Sequence, residues 1–475
     1  MSRIDRREVL AAAGSTLAAV LAGCQGGGAD RSTTATTAET PTETAGDADA
    51  TTTADAADPK RRAREFVGLI DEGAYERAHD RFNQTAAEQI SPDQLAQLWT
   101  GLEDQLGDFL SLSELETVEQ DGVDVVTGIA TFENGRREVE ISFGPEGIAG
   151  FWIRRVTGEW SAPSYADESA FTERAVSLEA TDDCTLGGTL TVPEGVEEAP
   201  GVVLVHGQGP SDRDGTVGPN KPYKDLAWGL ASRGVAVLRY DKRTQACDVD
   251  FADVTIDEAV TDDALTAIER LRETDAVAAD DVVVAGHSIG ATLAPRIAAR
   301  DGDLAGVVML APLARTVTEA ITDQSEYLAE RDGTVTDAER DQLDQAERIV
   351  EQIRSGNITD EEVVYLGGDE YWRSLREYDA VAAAAEIDAP RLVLQGERDY
   401  QVTVEEDLAE LREALGEDPG VSFRTYPRLN HLFMPGEGKP GRGEYFRENH
   451  VAKAVVTDVA SFAAEVTAEG TTTVE

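Results

Sequence analysis

The sequence predicts an α/β architecture with a mainly parallel sheet and a helical insert, preceded by a small α+β domain. Two observations carry this. From about residue 174, β-rich runs at 186–192, 201–205, 235–239, 281–285, 305–310, 391–395 and 421–426 are separated mostly by helix-length segments. Ahead of them, over 60–165, helical periodicity gives way to strand patterns divided by tight turn signals. A chain of 475 residues has room for two or three cores.

The first 24 residues read as an address rather than as part of a fold. Arg6-Arg7 precedes a mild apolar run over 9–22 that is too short to span a bilayer. The arginine pair resembles a twin-arginine export signal. Leu21-Ala22-Gly23-Cys24 resembles a lipobox, which implies lipidation of Cys24 and anchoring to the outer face of the cytoplasmic membrane. Residues 25–59 are mostly Thr, Ala, Asp, Glu and Gly, cannot bury a core, and read as a disordered acidic tether with a reach of about 35 Å.

Over 60 to about 115 the pattern is helical, with Phe66, Val67, Leu69 and Ile70 on one stripe and Ser91-Pro92-Asp93 as the cap of a later helix. Strands follow at 123–132, 137–143 and 148–156, separated by Asn134-Gly135 and by the turn at 144–147. This part resembles a domain of unknown function found ahead of secreted hydrolases, with a cone-like, cystatin-like fold, and no cluster in it calls for catalysis.

Charge narrows the partners. Asp plus Glu number 92 against 42 Lys plus Arg, a formal net charge of −50, which repels phosphate backbones and excludes nucleic-acid binding. Only six residues are lysine (60, 221, 224, 242, 439 and 453). Such usage resembles the proteomes of salt-loving archaea and predicts that molar salt screens the surface carboxylates.

In a parallel sheet the strand carboxyl ends are where sites form. After the run at 282–285 comes Gly286-His287-Ser288-Ile289-Gly290 and then a helix-like 291–300. This strand, sharp turn and helix describe a nucleophile elbow, whose strained backbone leaves no room for side chains two residues either side of the serine. Ser288 needs a base. Of the imidazoles His79, His206, His287, His431 and His450, the first lies in the helical domain, His206 ends a strand and His287 sits inside the elbow. His431 follows the last strand and is the candidate, with His450 read as a surface or packing residue. The acid that orients the base is expected between serine and histidine, and Asp399 after the run at 392–395 fits. Glu397 is its rival, or else a salt-bridge partner of Arg398. Backbone donors for an oxyanion are expected at Ile289 and at Gln208 in the loop 206–210.

Arg213, Asp212, Lys221, Asp241 and Arg243 are read as an ion network bracing these loops. No zinc spacing, phosphate loop or dinucleotide fingerprint is present, so no metal and no cofactor are expected. Residues 312–388 form an insert with an amphipathic helix around Leu343, Ile349, Val350 and Ile353, a lid over the serine, with Tyr371 and Trp372 as its anchors. Cys184 and Cys247 remain beside Cys24, and their pairing is left open.

Segments 206–221, 237–243, 286–290, 394–402 and 429–445 together resemble exported α/β-hydrolases of the esterase and serine-peptidase-like branch. The resemblance spans about 60–465. It implies an α/β-hydrolase fold over 174–468 and a Ser-His-Asp carboxylesterase acting on small short-chain esters, with Ser288, His431 and Asp399 in the matching positions. A peptidase or amidase on the same triad, and a noncatalytic surface-binding protein, are the alternatives. The sequence does not indicate an oligomeric state.

Overall fold

The computed structural model describes residues 58–120, 123–133, 135–144, 147–155, 160–359 and 362–470. The export signal, the lipidation candidate Cys24 and nearly all of the tether lie outside them. The described residues divide into two compact units, one within 58–155 and one within 160–470.

The smaller unit begins with helices Pro59–Asp71, Tyr75–His79, Gln84–Gln89 and Pro92–Leu106. The first starts on Pro59, with the Asp58 carboxylate accepting from the Lys60 amide, and buries Phe66, Val67, Leu69 and Ile70. The last is opened by a reciprocal capping box between Ser91 and Gln94. Strands β1 (Phe109–Gln120), β2 (Val123–Phe132), β3 (Gly135–Gly144) and β4 (Gly147–Arg155) form an antiparallel meander in chain order. Burial alternates along β2 and β3, as expected for a sheet with one face on a core. The helical expectation up to about 115 is corrected here, because 109–120 is a strand paired to β2 along its length.

The larger unit carries an eight-stranded sheet. Its strands are β5 (Phe171–Thr181), β6 (Cys184–Pro193), β7 (Ala199–Val205), β8 (Ala236–Tyr240), β9 (Val277–His287), β10 (Gly306–Leu310), β11 (Arg391–Gly396) and β12 (Val421–Tyr426). The spatial order is β12-β11-β10-β9-β7-β8-β6-β5, parallel from β8 through β12 and antiparallel at β6 and β5. β5 was not anticipated. Strands β8, β10 and β11 are buried at every residue, so helices must cover both faces. Helices Pro222–Ala231 and Lys453–Gly470 pack on each other and on the sheet, as do Asp262–Arg272 and Ile289–Asp301. Trp160 donates to Asp225 (2.8 Å) and Tyr165 to the Val451 carbonyl (2.8 Å), so 160–165 belongs to this unit rather than to the leading domain.

Between β10 and β11 the insert forms helices Val317–Glu330, Asp337–Ser355, Asp369–Arg376 and Ala380–Glu386. Thr316 with Glu319, and Thr336 with Glu339, build capping boxes at the first two. Val350 and Ile353 are buried, while Leu343 and Ile349 are half-buried. Cys184 and Cys247 are joined by a disulfide, with Cα atoms 5.9 Å apart, tying the start of β6 to the segment after β8.

The chain crosses from β7 to β8 on one side and then returns to place β9 on the other side of β7. Loops leaving the carboxyl ends of β7 and β9 therefore diverge and leave a crevice between them.

Candidate active site

β9 ends at His287, and Ser288 turns the chain into the helix Ile289–Asp301 with φ 55° and ψ −122°. A side chain in that region costs about 1–3 kcal/mol and persists only where the surroundings enforce it. The enforcement is visible. The Ser288 amide donates to the Leu310 carbonyl at the end of β10 (2.9 Å). A Cβ on Gly286 would lie 2.1 Å from the Gly290 carbonyl oxygen, and one on Gly290 would lie 2.4 Å from that of His206. Glycine at both positions lets the turn close against the β7 loop. Ser288 then lines a cavity with Gly207, Gln208, Tyr223, His431 and Leu432.

Asp399 lies three residues beyond β11. One of its oxygens accepts from the amides of Gln401 (2.8 Å) and Val402 (3.1 Å). The other accepts from the Gln395 amide nitrogen (3.1 Å) and meets His431 Nδ1 at 2.7 Å. Both members of the pair are almost wholly buried. Since a carboxylate only accepts, Nδ1 carries the proton and Nε2 is left with its lone pair. Asn430 shapes the turn that presents His431, its side-chain oxygen accepting from the amides of Leu432 (3.1 Å) and Met434 (3.2 Å). Glu397 is exposed, and Arg398 pairs with Glu444 (2.8 Å) instead of with Glu397.

The loop after β7 is held from several sides. Tyr223 Oη accepts from the Gly207 amide (3.3 Å) and lies 3.3 Å from His287 Nδ1, while His287 Nε2 lies 2.9 Å from the His431 carbonyl. A carbonyl accepts, so Nε2 of His287 carries its proton and the Tyr223 hydroxyl donates to Nδ1. Burial pushes His287 down to about 3, keeping it neutral for this relay, with the neighbouring His431 adding to the effect. His206 is likewise pushed down to about 3, by burial first and by the Lys242 charge second. Among the described residues the backbone N–H groups of Gln208 and Ile289 donate to no protein group. The Gln208 side chain accepts from the Tyr371 hydroxyl of the insert, whereas Trp372 anchors the insert internally on the carbonyls of Val364 (2.8 Å) and Gly367 (3.1 Å).

The charged residues around these loops form a brace. Arg213 pairs with Asp241 (2.5 Å), Lys221 with Asp214 (2.9 Å) and Arg243 with Asp263 (2.5 Å), and Arg239 bridges Asp214 and Glu173. Asp212 accepts from Thr216 and caps the turn. His450 contacts Asp225 at 3.2 Å, far along the chain from the elbow, and that hydrogen bond raises its pKa. Tyr223 and His287 as props for the loop were missed, and so was Lys242, whose ammonium meets the Gly207 carbonyl at 2.6 Å. No pattern in the sequence joins these positions, which meet only across β7, β8 and β9. Among the described residues no group of three or more His, Cys, Asp or Glu side chains is arranged to hold a metal ion.

Residues 202–441 match the alpha/beta hydrolase family. A relative, Esterase EstD of Thermotoga maritima, is 35% identical over 397 residues, covering 83% of this chain and 93% of that protein. The chain belongs to the alpha/beta hydrolase family. Residues 63–151 match a family described as a protein of unknown function, DUF3887. Solved structures similar to this hydrolase include Est1E from Butyrivibrio proteoclasticus, at 20% identity and a TM-score of 0.41, covering 62% of this chain and 99% of that one. Another is the Pyrococcus furiosus esterase Pf2001, at 15% identity and a TM-score of 0.43, covering 66% and 98%.

Proposed function

We propose that this hydrolase cleaves short-chain carboxylic esters of small molecules by two-step acyl transfer, with Ser288 as nucleophile, His431 as base and Asp399 as the acid that orients it. The observation that carries the reading is the buried Asp399–His431 contact of 2.7 Å, with the imidazole lining the same cavity as a serine on a strained strand-to-helix turn. The esterase relative supports the same substrate class.

In this mechanism Nε2 of His431 takes the Ser288 proton as Oγ attacks the ester carbonyl carbon. The negative charge that forms on the carbonyl oxygen is received by the N–H groups of Gln208 and Ile289, which donate to no protein group among the described residues. His431 returns the proton to the departing alkoxide, giving the alcohol and an acyl-enzyme. Water then attacks the acyl carbon, giving a proton to His431; as the C–Oγ bond breaks, His431 passes that proton to Ser288 Oγ, releasing the acid and restoring the serine hydroxyl and the neutral base. Asp399 keeps the proton on Nδ1 throughout and stabilises the imidazolium. A small recess lined largely by Leu226, Leu310, Leu432, Phe433, Val451 and Val455, with Tyr223 and His287, adjoins the cavity.

Turnover of p-nitrophenyl acetate in concentrated KCl tests the reading. The expected result is hydrolysis by the native protein and a kcat lower by about a millionfold in Ser288→Ala with an unchanged melting temperature. Retained turnover in that variant, or cleavage of aminoacyl anilides in preference to esters, would overturn it.

A further inference from the structure

We propose that Lys242 is a positioning residue for ester cleavage: its ammonium group grips the Gly207 carbonyl and so orients and polarises the peptide whose N–H, that of Gln208, receives the oxyanion. The inference rests on the preceding assignment of the Gln208 amide and adds a charge that the triad and the two backbone donors do not supply.

The geometry is that of one peptide unit. The Gly207 carbonyl and the Gln208 N–H belong to the same planar amide and point in opposite directions along one dipole. Lys242 Nζ lies 2.6 Å from the carbonyl oxygen, a charge-assisted hydrogen bond. A cation at the oxygen end draws electron density from the nitrogen end, so the N–H becomes a stronger donor at the moment negative charge develops in front of it. The preceding peptide is held as well, since Tyr223 takes the Gly207 N–H, and a Cβ on Gly207 would sit 3.2 Å from the Ser288 Cβ.

Lys242 is 4% exposed and forms no ion pair among the described residues, an arrangement that costs stability and calls for another reason to persist. The carboxylate nearest in effect, Asp263 on the helix Asp262–Arg272, is engaged by Arg243 at 2.5 Å. Burial pushes Lys242 down to about 7, with the Asp263 charge opposing. The histidine and the tyrosines around it stay neutral over that range. His206 from the β7 loop is pushed down to about 3, while Tyr240 on β8 and Tyr371 on the insert are pushed up by burial. Asp263 is raised from its ordinary value by burial, against the pull of Arg243. Lys242 is thus the group beside the Gly207 carbonyl whose charge is lost as pH rises through neutrality.

The experiment is kcat and KM for p-nitrophenyl acetate from pH 6 to 9 in the native protein, Lys242→Arg and Lys242→Met. The native kcat is expected to decline above about pH 7, where Lys242 loses its proton. Lys242→Arg, cationic throughout, abolishes that decline, and Lys242→Met lowers kcat about 10- to 100-fold at pH 6 with KM changed by less than about threefold. A Lys242→Met kcat within about twofold of the native value at pH 6, or an alkaline decline unaltered in Lys242→Arg, overturns the proposal. Should neither variant fold, a native kcat that does not decline between pH 7 and 9 overturns it, and a decline supports it. Ser288→Ala tests the underlying assignment separately: an inactive Ser288→Ala beside a fully active Lys242→Met removes this proposal and leaves that assignment standing.

Discussion

Ser288, Asp399 and His431 come from three strand ends, and each sits where neighbouring groups fix its orientation. Asp399 shows how narrow the tolerance is: both of its oxygens are occupied, one by two backbone amides and the other by Gln395 and His431. In Asp399→Asn the amide can present a donor to Nδ1, which inverts the tautomer of His431 and leaves a proton where the lone pair must be. We expect kcat to fall by about 10⁴ with the fold retained, read from steady-state ester hydrolysis alongside a melting curve. A loss of less than tenfold would remove Asp399 from the mechanism. The motif around Ser288 was legible because glycine spacing at a sharp turn is a local, steric requirement. Lys242 was not, since its flanks Asp241 and Arg243 read as bracing charges and nothing in the sequence places its ammonium against Gly207.

At the scale of elements, the parallel strands β7 to β11 were readable because burial on both faces demands runs of apolar residues. Two strands escaped. β1 reads FLSLSELETVEQ, rich in Leu and Glu that also suit a helix, and β5 reads FTERAVSLEAT at the edge of its sheet with much of it exposed. For both, pairing with a neighbouring strand rather than intrinsic preference decides the conformation. The disulfide was open for the same reason, since 63 residues separate the two cysteines and only the packing of β6 beside β8 brings them together. Closing a loop of that length stabilises a fold by about 2–4 kcal/mol, and it also tethers the segment just after Lys242. Cys184→Ser is expected to lose that amount in a denaturant titration, with added reductant lowering the native protein to the same midpoint. Indifference to reductant would argue against the bridge.

For the molecule as a whole, an excess of fifty acidic over basic residues leaves strong self-repulsion in the compact state at low salt. Arginine takes up part of it in pairs such as Arg272–Asp301 (2.6 Å) and Arg296–Asp257 (2.7 Å), but most carboxylates must rely on counterions. The Debye length shrinks from about 10 Å at 0.1 M to about 3 Å at 1 M. The melting temperature should therefore rise steadily with KCl up to molar concentrations, as followed by circular dichroism. A flat or falling trend would show that the surface charge is already compensated.

Read from the sequence alone, the chain was already an α/β enzyme with a leading α+β domain, an elbow serine and a histidine after the final strand, and neither a nucleic-acid binder nor a cofactor protein in expectation. Those features depend on periodicity, composition and short-range sterics, which act between residues close in the chain. The sequence favoured Asp399 over Glu397 as the acid, and the tertiary structure supplied its contact with His431; tertiary structure alone decided that Cys184 meets Cys247, and that Lys242, Tyr223 and His287 converge on the Gly207 loop and its neighbours. Each of these depends on contacts across several strands, and hydrogen bonds of 3 Å are set by the register and twist of a whole sheet rather than by any local pattern.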